Sequence, residues 1–286
     1  KKDKEFIGDI IIEKDKIIDV GPNIYKKEKP KSYTNIHNCK NLYICPGLLD
    51  MRVSFGEPIS EHKAAFAGGI TTVVCLPNTD PVVDNVSVAE YIQRKSKEVS
   101  KLNLYTYGSI TKNFDGENLC EMGLLSQAGV KGFTDANKSI ENSAVLKRAL
   151  EYSKAFNSLV IQFPEDKNLA NEGVMNEGEI STRLGLAGIP SIAEVIIIER
   201  DLRLVEATDA KYHVSCVSTA EAVEAIKNAK NKGLKVTCDT SPQYFTLNEM
   251  AVEDYRTFAK VSPPLRSEKD RIAIVNGLKD GTIDAI

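Results

Sequence analysis

Short apolar runs alternate with stretches of helical period from residue 42 onward. Eight runs have the length and composition of strands, and they begin at residues 42, 71, 102, 130, 158, 211, 235 and 282. Stretches of helical period occupy most of the gaps, for example at 86–100, 142–157, 192–206, 219–232 and 268–279. Eight strands with intervening helices predict an α/β protein built as a (β/α)8 TIM-type barrel, whose chemistry lies at the C-terminal ends of the strands.

An open doubly wound sheet is the alternative arrangement of the same elements. The count of eight strands argues against it. A glycine-rich phosphate-binding motif after a strand would have favoured that alternative, and neither G-x-G-x-x-G nor G-x-x-x-x-G-K-[ST] occurs in the sequence.

The first 41 residues follow a different pattern. Two short β-branched runs within residues 5–20 flank the polar segment Glu13-Lys14-Asp15-Lys16, which is a hairpin signature. The sequence therefore predicts a small β element at 1–41 and a barrel at 42–286, with the chain stopping inside the eighth strand.

Composition narrows the class of protein. Hydrophobic residues make up 42% of the 286 residues and charged residues 27%, which is ordinary for a soluble globular protein. The formal net charge of -3, with both signs mixed along the chain, indicates no broad attraction for nucleic acid or an anionic membrane. No apolar run reaches the roughly 18 residues of a membrane span, and no secretory signal opens the sequence, so we expect a cytoplasmic protein.

Four stretches carry a family resemblance. They are PGLLDMRVSFGEP, GGITTVVCLPNTDPVVDN, NEGEISTRLGLAGIPSIAE and AKVSPPLRSEKDR. In this order and at barrel-compatible spacing they resemble the dihydroorotases of the amidohydrolase superfamily, specifically the type found in multifunctional or transcarbamoylase-associated complexes. The N-terminal GDIIIEKDKIIDVG resembles the β-sandwich that precedes the barrel in this superfamily, so 1–41 is expected to be a β-sandwich portion.

The resemblance implies a two-zinc site, with H-x-H on strand one, a carboxylate on strand four, one histidine each on strands five and six, and an aspartate after strand eight. The zinc pair lowers the pKa of a bridging water and polarises the scissile amide. The four histidine positions here hold Arg52, Ser54, Phe163 and Cys216, and only Asp135 matches a ligand. Arginine and phenylalanine cannot ligate zinc, and a serine hydroxyl replaces imidazole poorly, so we expect no cofactor.

The substrate contacts implied by the resemblance are also altered. Gly56 stands where the family has the arginine that binds the substrate carboxylate, and Ser262 stands where it has an asparagine. Asn78 is retained, either as a substrate contact or as a residue that hydrogen-bonds the loop after strand two. His213, three residues before Cys216, is expected to face the opposite side of its strand.

A buried carboxylate that has lost its metals needs another cation. We therefore predict that the Arg52 guanidinium fills the vacated metal site and pairs with Asp135, directly or through water.

Three functions are compatible with this sequence. The first is a catalytically silent dihydroorotase homologue that acts as an assembly partner of aspartate transcarbamoylase. The second is an active dihydroorotase with a remodelled metal site. The third is a self-assembling structural protein like the dihydropyrimidinase-related proteins, and with it a homo-oligomer.

Overall fold

A computed structural model of the chain describes residues 6–24, 35–54, 62–99 and 102–286. The chain divides into two compact units, Lys1–Pro46 and Gly47–Ile286. This division falls a few residues after the boundary expected from the sequence.

The first unit contains a β-hairpin. Strand β1 (Asp9–Glu13) pairs antiparallel with strand β2 (Lys16–Gly21), and Lys14 in the turn adopts a left-handed φ of 57°. The hairpin predicted from the polar segment between two β-branched runs is therefore confirmed. Its place in a β-sandwich stays a prediction.

Parallel strands form the frame of the second unit. Their bounds are β3 (Leu48–Val53), β4 (Ile70–Cys75), β5 (Asn103–Thr106), β6 (Leu159–Gln162), β9 (Lys211–Val214) and β10 (Val236–Cys238). The orders β3-β4-β5 and β6-β9-β10 are joined by Phe133, which bridges in parallel to both Gly108 and Val160. A parallel bridge between Asp239 and Ala285 continues the series beyond β10.

These eight parallel positions confirm the predicted barrel class. Strands four and eight were expected as full strands, but the fourth and eighth positions are represented by single bridges at Phe133 and Ala285. A separate two-stranded parallel sheet, β7 (Met175–Asn176) with β8 (Gly188–Ile189), was not expected from the pattern.

Helices follow the strands. Their bounds are α1 (His62–Ala67), α2 (Val86–Val99), α3 (Met122–Gln127), α4 (Ser143–Ala155), α5 (Lys167–Ala170), α6 (Glu179–Leu184), α7 (Ile192–Thr208), α8 (Ala220–Asn231), α9 (Pro242–Thr246) and α10 (Glu268–Asp280). The five helices expected from the helical period correspond to α2, α4, α7, α8 and α10. Three of these begin at a side-chain cap, because Asn142, Thr219 and Ser267 each accept a hydrogen bond from a backbone N–H of the first turn.

Strand alternation separates two parts of the core. The large cluster combines Val73 and Cys75 of β4 with residues of α2, α4, α7, α8 and α10, so these strand positions face the helices. The second cluster, which we call the interior cluster, is formed by residues of strands and strand ends: Val74, Leu76, Tyr107, Ala136 and Ile161. Because Val74 and Leu76 alternate with Val73 and Cys75, the interior cluster faces the inside of the barrel.

Candidate functional site at the barrel mouth

The Arg52 side chain reaches from β3 across the barrel interior to three other strand positions. Its Nη1 donates to Ser215 Oγ at 3.1 Å, and its Nη2 donates to Asn137 Oδ1 at 2.6 Å and to the Ala136 carbonyl oxygen at 3.4 Å. The guanidinium carbon lies 5.1 Å from the centroid of the Phe163 ring, within the range of a cation–π contact. Arg52 therefore stands at the mouth, as expected, among neutral partners.

Asp135 is not one of those partners, and the predicted direct pairing of Arg52 with Asp135 is wrong. The Asp135 carboxylate accepts hydrogen bonds from the backbone N–H of Ile110 at 2.7 Å and of Thr111 at 3.0 Å, and from the Thr111 hydroxyl. Only 2% of the residue is exposed. Burial raises the pKa of Asp135, and the hydrogen bonds from Thr111 and Ile110 oppose that rise.

The reason lies in the direction of the fourth strand position. Phe133 belongs to the helix-facing cluster, and a side chain at Gly108 would meet both the Phe133 ring and Leu125 of α3. Asp135 is two residues further along and points to the same side, whereas Ala136 belongs to the interior cluster. The carboxylate that matches a metal ligand in sequence therefore fixes the loop after β5 and does not reach the guanidinium.

Beyond Arg52, a second group of polar side chains lies inside the barrel. The Ser215 hydroxyl is 3.3 Å from Asp239 Oδ2, and Asp239 Oδ1 accepts the backbone N–H of Cys216 at 2.6 Å. His213 lies between two partners, with Nε2 2.9 Å from Asp239 Oδ2 and Nδ1 2.8 Å from Thr237 Oγ1. We call the chain formed by Arg52, Ser215, Asp239, His213 and Thr237 the interior network.

The sequence reasoning missed Asp239 and gave His213 no structural role. The sequence signal that could have found them is alternation. His213 and Ser215, on and just after β9, are polar residues spaced by two, and so are Thr237 and Asp239, on and just after β10. Two neighbouring strands with polar residues at matching positions predict paired side chains inside a barrel.

Alternation does not extend to Cys216. Its φ of 59° interrupts the strand geometry, so its backbone N–H reaches the same Asp239 carboxylate that His213 contacts. The expectation that the His213 and Cys216 side chains face opposite sides of the strand is not tested by this backbone contact and stays a prediction. Burial raises the pKa of the Cys216 thiol, and the charge of Arg52 opposes that rise in part.

Ser54 and Asn78 lie at the ends of β3 and β4 and contact each other. Asn78 Nδ2 donates to Ser54 Oγ at 2.9 Å, and both side chains are exposed. Of the two expectations for Asn78, the structure provides a hydrogen bond that ties its loop to the first strand. Gly56, which marks the altered carboxylate contact, lies outside the described residues.

Two of the family-like stretches meet in a buried polar cluster away from the guanidinium. Arg266, which is 4% exposed, donates to Asn176 Oδ1 at 3.0 Å, to the Ile189 carbonyl oxygen at 2.7 Å and to Ser218 Oγ at 3.2 Å. The Glu194 carboxylate accepts the Ser218 backbone N–H at 3.0 Å. Arg266 and Glu194 therefore connect three segments of the chain to one another. Neither residue contacts the Arg52 guanidinium.

Two further features are absent from the described part of the chain. Within residues 6–24, 35–54, 62–99 and 102–286, no group of three or more His, Cys, Asp or Glu side chains is arranged to hold a metal ion. In the same part of the chain, no helix is both long and apolar enough to cross a membrane.

Comparison with known sequences places these features in context. A family model described as dihydro-orotase-like matches residues 42–222. A protein named dihydroorotase from Ehrlichia canis (strain Jake) is 42% identical over 99% of this chain and 65% of its own length. A dihydroorotase from Acetivibrio thermocellus is 44% identical over 98% of this chain and 66% of its own length. The chain thus spans about two thirds of the relatives that it matches.

Solved structures agree with the fold. An L-hydantoinase (dihydropyrimidinase) from Arthrobacter aurescens has a TM-score of 0.80 at 21% identity, over 96% of this chain and 63% of that protein. A dihydroorotase from Saccharomyces cerevisiae in complex with 5-fluoroorotic acid has a TM-score of 0.61 at 14% identity, over 82% of this chain and 66% of that protein. At these identities the similarity is one of barrel architecture.

Proposed function

This chain belongs to the dihydroorotase-like family, and we propose that it is a catalytically silent member that serves de novo pyrimidine biosynthesis in the cytoplasm as an assembly partner of aspartate transcarbamoylase. The observation that carries the proposal is the position of Arg52. A guanidinium, held by Ser215 and Asn137, occupies the strand-one position at which the family resemblance implies the first zinc-binding histidine.

The donors present do not fit a pair of zinc ions. Zinc in proteins is bound by thiolate, neutral imidazole or carboxylate. Arg52 is a permanent cation, Phe163 has no ligand atom, and Asp135 is turned toward Ile110 and Thr111. Of the four histidine positions, only Cys216 holds a side chain of a type that zinc commonly binds, and its thiol must lose a proton that burial favours keeping. We therefore assign no step to a metal ion.

Nothing in the described interior replaces the metal as a source of activated water. A general base needs a free acceptor atom near the substrate. His213 has both ring nitrogens engaged, one with Thr237 and one with Asp239, and it is 7% exposed. Asp239 itself accepts hydrogen bonds from Cys216 and lies beside His213. The polar groups of the interior network are hydrogen-bonded to one another.

An assay in both directions tests the proposed loss of hydrolysis. The purified chain is incubated with carbamoyl aspartate and, separately, with dihydroorotate, with and without added zinc, beside the Acetivibrio thermocellus dihydroorotase as the active control. We expect no turnover above the uncatalysed rate in either direction. Zinc-dependent turnover that scales with the concentration of this chain would contradict the proposal.

The partnership with the transferase has a different basis. It is supported by the resemblance to the transcarbamoylase-associated type together with a retained barrel. The test is co-expression with aspartate transcarbamoylase from the same organism, followed by size-exclusion chromatography and measurement of transferase activity. Co-elution and a higher specific activity are expected. A transferase that assembles fully and reaches the same activity without this chain would overturn the partnership.

An active dihydroorotase with a remodelled metal site is the second candidate. It is favoured by the name of the relatives, which are called dihydroorotase at 42% and 44% identity. Metal content separates the candidates, because the active enzyme requires bound metal and the silent homologue does not.

A further inference from the structure

Arg52 is a cation that has no anionic partner within ion-pair distance among the residues that the structure describes. Its three protein acceptors are the Ser215 hydroxyl, the Asn137 amide oxygen and the Ala136 carbonyl oxygen, all of them neutral. We propose that the Arg52 guanidinium is the centre of a binding site for a small carboxylate ligand at the barrel mouth. The position is one that the family resemblance assigns to a zinc-binding histidine and not to carboxylate recognition.

The nearest carboxylate in the interior network does not neutralise this charge directly. Asp239 is separated from Arg52 by the Ser215 hydroxyl, which lies 3.1 Å from Arg52 Nη1 and 3.3 Å from Asp239 Oδ2. Asp239 is already engaged, because it accepts the Cys216 N–H and contacts His213 Nε2. Asp239 therefore occupies none of the N–H donors of the guanidinium.

Donor groups remain for a carboxylate ligand. A guanidinium has five N–H donors. One Nη1–H and two Nη2–H groups make the contacts to Ser215, Asn137 and Ala136, so the Nε–H and the second Nη1–H have no acceptor in the described part of the chain. Free donors on a partly exposed guanidinium are accessible to a ligand that enters from the mouth.

The surroundings favour a single negative charge. The Phe163 ring covers one face of the guanidinium at 5.1 Å and excludes water from that face, which strengthens a charge-assisted hydrogen bond. The polar side chains Asn137, Ser54 and Asn78 near the mouth are neutral, whereas the carboxylates of Asp50 and Asp239 lie close enough to act electrostatically on the same Tyr107 hydroxyl as Arg52. Lys138 lies over the ring of Phe114 at 5.9 Å. Because the carboxylates of Asp50 and Asp239 repel a doubly charged phosphate more than a single charge, and because the guanidinium fork is planar, the site matches a planar monocarboxylate better than phosphate.

This inference shares with the proposed function only the starting observation, an arginine at a position that the family resemblance assigns to a zinc ligand, and the two are tested by different readouts. The ligand site is tested by binding, and the silent site by metal content and turnover. An apo-like chain that binds carboxylate and still hydrolyses dihydroorotate with zinc would overturn the proposed function and leave the carboxylate site standing.

The experiment compares three solutes at equal ionic strength with the full 286-residue chain. Thermal unfolding is followed in sodium chloride, in sodium acetate and in sodium phosphate, and acetamide serves as the neutral counterpart of acetate. We expect acetate to raise the midpoint by roughly 2 to 3 °C over chloride at about ten times its dissociation constant. Acetamide and phosphate are expected to give smaller shifts than acetate.

Variants locate the effect. Arg52→Gln should abolish the acetate-specific shift, and Arg52→Lys, which keeps the charge and loses the planar fork, should weaken acetate binding by about tenfold. Arg148→Gln on the exposed face of α4 is the matched control and should bind acetate like the parent chain. If Arg52→Gln lowers the thermal unfolding midpoint even without acetate, the midpoints of the variants are not comparable. Acetate titrations of the same proteins followed by NMR then give the affinities directly.

Two results overturn the inference. One is an acetate shift equal in Arg52→Gln, Arg148→Gln and the parent chain, which would place the anion elsewhere. The other is a larger response to phosphate than to acetate that depends on Arg52, which would make the ligand class wrong.

Discussion

Arg52 Nη1 lies 3.1 Å from Ser215 Oγ, and through this hydroxyl the first strand is joined to Asp239 on the seventh. Arg52 was expected to pair with Asp135. The Asp135 carboxylate instead accepts hydrogen bonds from the backbone N–H groups of Ile110 and Thr111. A cation in the barrel is therefore held by neutral groups, and this arrangement makes several measurable predictions.

A double-mutant cycle tests the Arg52–Ser215 contact. The single variants Arg52→Ala and Ser215→Ala and their combination are unfolded in urea, and a coupling energy of about 0.5 to 1.5 kcal/mol is expected for one hydrogen bond of a partly exposed side chain. The parallel cycle with Asp135→Ala should give a coupling near zero. A larger coupling for Arg52 with Asp135 than with Ser215 would refute the arrangement.

The two arginines of the barrel should differ strongly in their contribution to stability. Arg52→Ala removes a partly exposed side chain with neutral partners, so we expect a loss of about 1 kcal/mol in the free energy of unfolding. Arg266→Ala leaves the buried Glu194 carboxylate and the Asn176 amide without their cation, and a loss of roughly 3 to 5 kcal/mol is expected. Equal losses in chemical denaturation would show that Arg52 is held by a buried charge pair after all.

Asp135 is predicted to stabilise a loop and to have no role at the mouth. Asp135→Ala leaves the backbone N–H groups of Ile110 and Thr111 without an acceptor inside the protein, so a destabilisation of about 2 to 4 kcal/mol is expected. Asp115→Ala is the control, because Asp115 accepts from Glu117 and Asn118 in an exposed turn where water replaces it. If the two variants lose the same stability in urea unfolding, the assigned role of Asp135 is wrong.

A buried carboxylate outside the barrel interior predicts a pH dependence. Burial raises the pKa of Asp201 to about 6, although Arg200 and the Tyr212 hydroxyl oppose the rise. Since the folded pKa lies above the unfolded value near 3.9, the folded state binds the proton more tightly, and the contribution of Asp201 to stability falls as pH rises from about 4 to about 6.

The Asp201→Asn variant isolates this effect. The difference in unfolding free energy between Asp201→Asn and the parent chain should shift in favour of the variant by on the order of 2 to 3 kcal/mol across that pH window, and then stay constant. Asp209→Asn, at an exposed position, is the control. A difference that is independent of pH, or one that shifts in favour of the parent chain, would contradict the raised pKa.

Much of the barrel was predictable from local pattern, and the reason is physical. Helix-facing and interior residues alternate along β4, and caps such as Asn142 and Ser267 mark helix starts, so periodicity alone locates these elements. The single bridges at Phe133 and Ala285 were not predictable, because bridging there depends on neighbouring strands distant in sequence.

The site was predicted in part. Arg52, Phe163 and Cys216 were identified by position, and the contact of Arg52 with Phe163 brings two of them together. The direction of Asp135 was misjudged because a motif match fixes a position along the chain but not the face that the strand presents there.

The interior network escaped notice for a different reason. Its contacts join His213 to Asp239 across two strands, and the backbone N–H of Cys216, a residue with a φ of 59°, reaches the same carboxylate. Such contacts depend on the register of β9 and β10, in which Thr237 pairs with His213 and Cys238 pairs with Val214.

Zinc stoichiometry tests the central claim most directly. The purified chain is saturated with zinc, passed over a desalting column and analysed by inductively coupled plasma mass spectrometry, with the Acetivibrio thermocellus dihydroorotase treated in parallel. Because Arg52, Ser54 and Phe163 stand at ligand positions, we predict less than about 0.1 zinc per chain, against about one or more in a site with a full ligand set. A value of about one or more zinc per chain that falls when Cys216 is replaced by alanine would place a metal at the mouth and contradict the account.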